Sequence, residues 1–318
     1  KRYCGGRTKI IYVKGRKRRI FEAKGATNLE ELHDKLNAYR VRRKRSDVMA
    51  ELPPKMRNTI PIELEDDERA RYDRARDDFL QWIEDQALSD GELRLKLAGL
   101  PDRELELRME EHATGKRESA GRMMEQQKLN ALRQIAEVGK VRAVVQWIHR
   151  FLKTTDRKLI VFAYSREVQR LLYEAFPGCA RIHADDGHTE RQRNVDMFQG
   201  HDECRVIICS LMAGQTGHDL TAAEDLLHIG LGWRPADYDQ AEGRAWGRLN
   251  DPHGLTVWHA VAVDTVDEDL LEIVTIKRKN IDIIKDGDAA ASGTAGDVVD
   301  QVLRRLRESA GDRAKVMV

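Results

Sequence analysis

VIICSLMAGQTGHDLTAAEDLLHIGLGWRPADYDQAEGRAWGRLND, from Val206 to Asp251, decides how the rest of the chain is read. It opens on an apolar run, Val206 to Cys209, with the length and β-branched content of a buried strand. A loop of small residues follows, Ala213-Gly214-Gln215-Thr216-Gly217, then Thr221-Ala222-Ala223 and a second apolar run from Leu226 to Leu231. Trp233-Arg234-Pro235 predicts the opening of a helix that carries Gln240, Arg244 and Arg248 and ends at Asn250, with Pro252 just beyond. Positions four apart share a helix face, so these three side chains are predicted to project together. A glycine-rich loop at a strand end suits a phosphate backbone, and two aligned arginines suit a nucleotide triphosphate.

Working outward, Lys158 to Ser165 reads as an apolar strand ending in a hydroxyl, followed by an amphipathic helix from Glu167 to Ala175 and a strand at Arg181-Ile182-His183. That is a βαβ pattern and implies a parallel sheet. A helix from about Lys140 to Leu152 precedes it, and Leu255 to Val263 reads as a final buried strand. Thr189-Glu190-Arg191-Gln192 has capping-box spacing. Thr265 to Asp269 caps a last helix that closes near Asp286-Gly287. Glu65 to about Gly139 is strongly charged and helical in pattern, with residues 98–121 reading as a mobile connection. Residues 288–297 read as a flexible linker, and Asp297 to Ala310 as an amphipathic helix.

The order Ala-Gly-x-x-Gly-x-x-Leu-Thr-Ala-Ala, Trp-x-Pro, Gln-Ala-x-Gly-Arg in the opening stretch resembles motifs V and VI of superfamily-two helicases. More narrowly it resembles the Swi/Snf-type DNA translocases, on the branch that includes the annealing helicases. Arg42, Arg43, Arg45, Val48, Leu52, Pro53 and Lys55 match the block that this family carries where its two lobes join. Gly187, Thr189, Arg191 and Phe198 fit a further family segment, and the strand ending at Ser165 is similar to helicase motif IV.

The resemblance implies an α/β fold: a RecA-like parallel-sheet helicase C-terminal lobe with a helical insertion. It divides the chain into the end of a first lobe and a linker (1–63), a helical protrusion (64–139), the lobe itself (140–264), a brace helix (265–287), and a linker with a terminal helix (288–318). It casts Arg244 and Arg248 as the arginines that reach ATP, with Gln240 and Gly217 beside the nucleotide. Ser165, Gly214, Thr216 and Trp233 are cast as DNA contacts, Trp233 reading equally well as a core residue. One departure stands inside the motif: the family's second arginine falls three residues after the first, where this chain has Gly247, and Arg248 follows one residue later.

ATP and Mg²⁺ are the implied cofactors of a complete two-lobed motor, bound mainly by a first lobe. No Gly-x-x-x-x-Gly-Lys-(Ser/Thr) occurs in this sequence. The chain is therefore expected to be part of something longer and to hydrolyse ATP poorly alone. Its implied partners are duplex or branched DNA, held through the backbone, and a first RecA-like lobe in cis or in trans. The reading outside the enzyme class is a DNA-binding or regulatory module that keeps the lobe without turnover.

Composition narrows the rest. Fifty-five basic residues against fifty-four acidic give a formal net charge of +1, so DNA binding must rest on local patches rather than overall charge. The four cysteines show no Cys-x-x-Cys pairing, which fits a reducing cytosol. The compact architecture and the resemblance imply a cytoplasmic or nucleoid-associated place in a bacterial or virus-infected cell. No apolar run approaches membrane-spanning length. His183 and His188 beside Asp185 and Asp186 lack a third ligand at metal spacing, so no metal site is expected there.

Overall fold

Short β-branched runs bounded by polar turns become strands, and the amphipathic stretches between them become helices. The structure, a computed structural model, describes residues 7–13, 16–22, 28–37, 39, 55–96, 117–211, 219–246, 254–286, 301–306 and 308. In order the elements are β1 (Arg7–Val13), β2 (Arg16–Glu22), α1 (Leu29–Asn37), β3 (Lys55–Ile62), α2 (Asp66–Lys96), α3 (Arg117–Gly139) and α4 (Val141–Thr154). Then come β4 (Leu159–Ala163), α5 (Arg166–Ala175), β5 (Ala180–Ile182), α6 (His188–Gly200), β6 (Val206–Ser210), β7 (Asp225–His228), α7 (Pro235–Ala245), β8 (Leu255–Ala262) and α8 (Val266–Asp286).

The chain divides into two units, one of Lys1–Arg40, Arg71–Leu132 and Ile276–Val318, the other of Val41–Ala70 and Arg133–Thr275. In the first, β1 and β2 pair antiparallel from Arg7↔Glu22 to Val13↔Arg16. Tyr72, Phe79 and Leu129 are buried there, Phe79 stacks on Trp82, and the Lys128 ammonium lies 5.8 Å from the Trp82 ring centre. Residues 301–306 are helical, with Val302, Leu303 and Leu306 buried, inside the stretch predicted to be amphipathic.

The second unit is built on a six-stranded sheet in the order β3-β8-β7-β4-β6-β5, parallel throughout. Alternation along β4 divides the core. Leu159, Val161 and Ala163 pack with Val144, Ile148 and Phe151 of α4 and Val168 and Leu172 of α5. Ile160 and Phe162 face the other way, with Val195 and Phe198 of α6 and Ala241 and Ala245 of α7. Right-handed crossovers require this. The β4-to-β5 step moves outward along the sheet, while β5-to-β6 and β7-to-β8 move back, so α5 takes one face and α6 and α7 the other. Fully burying a side chain such as Phe162 or Leu172 contributes about 1.5–3 kcal/mol.

Several local readings differ from what forms. Residues 55–62, placed by sequence in the inter-lobe link, form the outer strand β3, with Lys55↔Leu255 through Ile62↔Ala262 as partners. Pro61 is tolerated because the strand is at the sheet edge and pairs only with β8. Residues 117–121, read as part of a mobile connection, lie in α3. Helix α6 starts at His188 with Gly187 as N-cap and no side-chain cap, so the predicted Thr189 capping box does not form. At α8 the expected cap is present: the Asp267 N–H donates to Thr265 Oγ1 at 3.2 Å, and that hydroxyl donates to the Ala262 carbonyl at 2.8 Å.

Candidate functional site

In an open parallel sheet, ligands bind beyond the carboxyl ends of the strands, where successive connections leave in opposite directions. Here β4 sends the chain towards β5 and its neighbour β7 sends it towards β8. The two strand-end loops, residues 164–165 and 229–234, therefore flank the switch point. They carry two of the predicted DNA contacts, Ser165 and Trp233.

Ser165 occupies the N-cap position of α5 with extended backbone (φ −78°, ψ 134°), but its side chain makes no cap. Its Oγ is buried without a hydrogen-bond partner. Its N–H donates to the Glu137 carboxylate, 3.1 Å to Oε2 and 3.2 Å to Oε1, and the Tyr164 N–H donates to Oε1 at 2.7 Å. The first amides of this helix end, where the resemblance casts Ser165 as a DNA contact, thus already hold a carboxylate. Trp233 is half-buried, just ahead of α7, whose N-cap is Arg234 and whose first residue is Pro235.

Both loops are held from α3. The Arg133 guanidinium lies 3.6 Å from the Tyr164 ring centre and 5.5 Å from that of Trp233, and donates to the Leu231 carbonyl at 3.1 Å. Lys140, wholly buried, donates to the carbonyls of Ile229 (2.6 Å) and Ala260 (2.8 Å) and pairs with Asp267 at 2.5 Å. Asp267 in turn accepts from the Ala262 N–H at 3.2 Å. Burial pushes the Glu137 carboxyl above its ordinary range, opposed by Lys140, the Ser165 and Tyr164 amides, and Arg133. Gly230 is required by packing: a Cβ there would stand 2.7 Å from both Glu137 Cδ and Tyr164 Cβ. Sequence reading missed this column. Its signal is Arg133, Glu137 and Lys140 at spacings of four and three among the apolar Leu129, Leu132 and Ala136, which puts charges on a buried helix face.

Gln240 and Arg244 form a second group. Gln240 is exposed and Arg244, one turn on, is half-buried. Between them Glu242 points inward and is fully buried. It accepts from Lys55 Nζ at 3.0 Å and from Arg57 at 3.1 Å (Nε) and 2.6 Å (a terminal nitrogen). The Lys55 ammonium also sits 4.6 Å from the Trp246 ring centre. Lys55 belongs to the Leu-Pro-x-Lys block singled out by sequence, so two separately noticed motifs meet at one carboxylate. The Leu220 N–H donates to the Arg244 carbonyl at 2.9 Å. Gln199 grips the same segment, donating to the Asp219 carbonyl at 2.9 Å and accepting from the Ala222 N–H at 2.7 Å.

The two groups are not brought together. Pro235 and Arg244 are nine residues apart on one helix, about 13 Å at 1.5 Å per residue. The helix also ends earlier than predicted: it stops at Ala245, and Trp246 is extended (φ −95°, ψ 137°). Within the helix as it stands, the shared-face reading applies to Gln240 and Arg244. Arg248, Gly214, Thr216 and Gly217 lie outside the described residues. Among the described residues no group of His, Cys, Asp and Glu could hold a metal ion, and no helix is long and apolar enough to cross a membrane.

With this geometry in place, residues 139–249 match the family described as the helicase conserved C-terminal domain. The parallel sheet of that segment has the RecA-like fold. Over 271 residues the chain is 29% identical to the mouse "DNA annealing helicase and endonuclease ZRANB3", covering 84% of this chain and 22% of that protein. Over 284 residues it is 28% identical to the Drosophila melanogaster "SWI/SNF-related matrix-associated actin-dependent regulator of chromatin subfamily A-like protein 1", covering 87% and 32%. The fold is also that of the "Sulfolobus solfataricus SWI2/SNF2 ATPase core in complex with dsDNA", with a TM-score of 0.52, 20% identity, and 81% of this chain and 52% of that one covered. The chain's homologues are thus Swi/Snf-type helicases, and it spans about a fifth to a third of the length of these two.

Proposed function

We propose that this chain is the second lobe of an ATP-dependent translocase acting on duplex or branched DNA. In this reading Arg244 reaches the γ-phosphate of ATP held by a first RecA-like lobe, with Gln240 beside the nucleotide. Arg248 and Gly217 are assigned to the same nucleotide, and Ser165, Gly214, Thr216 and Trp233 to the DNA backbone. The observation that carries it is the Gln240–Arg244 pair on a helix whose intervening residue, Glu242, is locked inward by Lys55 and Arg57.

The residues fit ATP through a guanidinium one turn from an exposed amide. Among the described residues no group of three or more His, Cys, Asp or Glu could hold a metal ion, and Mg²⁺ is assigned to the first lobe. When bound between two lobes, ATP would supply the binding and hydrolysis free energy for cycles of lobe closing and opening. This lobe's part is a positive charge aimed at the transferring phosphoryl group, a contribution of about 10³-fold or more where such arginines have been removed in GTPases. DNA held through its phosphates makes binding sequence-tolerant and steeply salt-dependent. The relatives named as annealing helicase and as a SWI/SNF-related regulator support this reading, as does the neighbour solved with duplex DNA.

The test is hydrolysis and binding by this chain, with and without forked duplex DNA, followed by Arg244→Ala in a two-lobed motor. The chain alone is expected to bind DNA with strong salt dependence and not to turn over ATP. Arg244→Ala is expected to abolish DNA-stimulated hydrolysis and leave DNA affinity unchanged. Robust turnover by the chain alone, or hydrolysis surviving the substitution, refutes the assignment.

A further inference from the structure

We infer that Glu137 is a positioning residue for DNA binding: with Arg133 it fixes the two strand-end loops, 164–165 and 229–234, on which Ser165 and Trp233 stand. This rests on the proposed reading of those two strand-end loops as the surface that meets DNA.

The carboxylate of Glu137 spans two consecutive peptide N–H groups, at Tyr164 and Ser165, and so sets the orientation of both peptide planes. It is 1% exposed, and the close approach of Gly230 leaves no room above it. A DNA phosphate therefore cannot displace it, and the start of α5 offers neither of those amides to DNA. The anion that a helix N-terminus favours is built into the protein. Four residues earlier on the same helix, Arg133 stacks on Tyr164 and holds the Leu231 carbonyl, so one helix end fixes both loops. By charge alone a carboxylate beside a DNA surface opposes binding. A role in positioning makes the opposite prediction, that losing it weakens binding.

The test measures the affinity of this chain for forked duplex DNA by fluorescence anisotropy, for wild type, Glu137→Gln and Arg133→Lys. A stoichiometric titration gives the binding-competent fraction, and the thermal midpoint checks folding. In Glu137→Gln an NH₂ group faces a backbone donor, and binding is expected to weaken roughly tenfold although the protein gains positive charge. The competent fraction is expected to stay that of the wild type. Arg133→Lys keeps the charge but loses the planar stack and fork, and is expected to weaken binding by about threefold.

A pH series adds a readout that a purely structural role would not move. Glu137 takes up its proton at higher pH than an ordinary carboxyl, with Lys140, Arg133 and, behind Lys140, Asp267 as its charged surroundings. Wild-type affinity is expected to fall through that step on acidification, and Glu137→Gln to lack the step. Equal or tighter binding by Glu137→Gln overturns the inference. If that variant does not fold, Arg133→Lys decides alone, with unchanged affinity the overturning result. A wild-type chain that binds no DNA refutes the proposed function itself and the inference with it.

Discussion

Replacing Glu242 by glutamine tests whether the inward lock on α7 is energetically real. The Glu242 side chain is 0% exposed, while Lys55 and Arg57 keep 17% and 36% of their side chains in solvent. Removing one partner of a buried ion pair costs about 3–5 kcal/mol when the other is stranded. Here the stranded groups are cations that can rehydrate, which places the cost near the low end, about 3 kcal/mol. For a unit of 150–250 residues each kcal/mol shifts Tm by about 2–4 °C, so Glu242→Gln should lower it by about 6–12 °C. Arg57→Met, losing two bonds on a more exposed side chain, should cost about 1–2 kcal/mol, and Lys55→Met about 1 kcal/mol. Thermal denaturation followed by circular dichroism measures all three. The decisive comparison is Glu242→Gln in the Lys55→Met/Arg57→Met background, where both β3 cations are gone. There the substitution should cost clearly less than in the wild type. An equal loss in both backgrounds would show that Glu242 is held by something other than β3, and the lock would be refuted.

Two further outcomes follow from packing and burial. Gly230→Ala drives a methyl group against Glu137 and Tyr164 and should cost about 1–3 kcal/mol; a thermal midpoint within a degree of wild type would show that the loop moves freely. Burial pushes the Cys209 thiol far up, and the Cys179 thiol up to about 11. Iodoacetamide at pH 8 followed by peptide mapping should leave both unmodified in the folded chain and modify them after unfolding, whereas rapid native labelling at Cys209 would contradict its buried place in β6.

The strands of the lobe were legible because their signals are local. Four to six apolar β-branched residues between polar turns, as at Leu159–Ala163 and Val206–Ser210, have few alternatives to a buried parallel strand. Strand β3 was not legible. Its exposed residues carry no strong pattern, and its strand character comes from the free edge of β8 beside it. The end of α7 was misjudged by following the spacing of Gln240, Arg244 and Arg248 past Gly247, a residue that favours a helix stop. Packing of Trp246 against Lys55 accompanies the stop at Ala245.

The sequence by itself determined the class of fold and the succession of the lobe's central strands along the chain, and it nominated Gln240, Arg244, Ser165 and Trp233 as candidates. Those depend on residue type and spacing along the chain, which local physics and motif order read directly. Only tertiary structure decided what those residues lean on. Glu137 lies 28 positions from Ser165, and Lys55 lies 187 from Glu242. A buried charge reveals its purpose only when its partner is seen, and sequence spacing carries no record of which distant donor will be there.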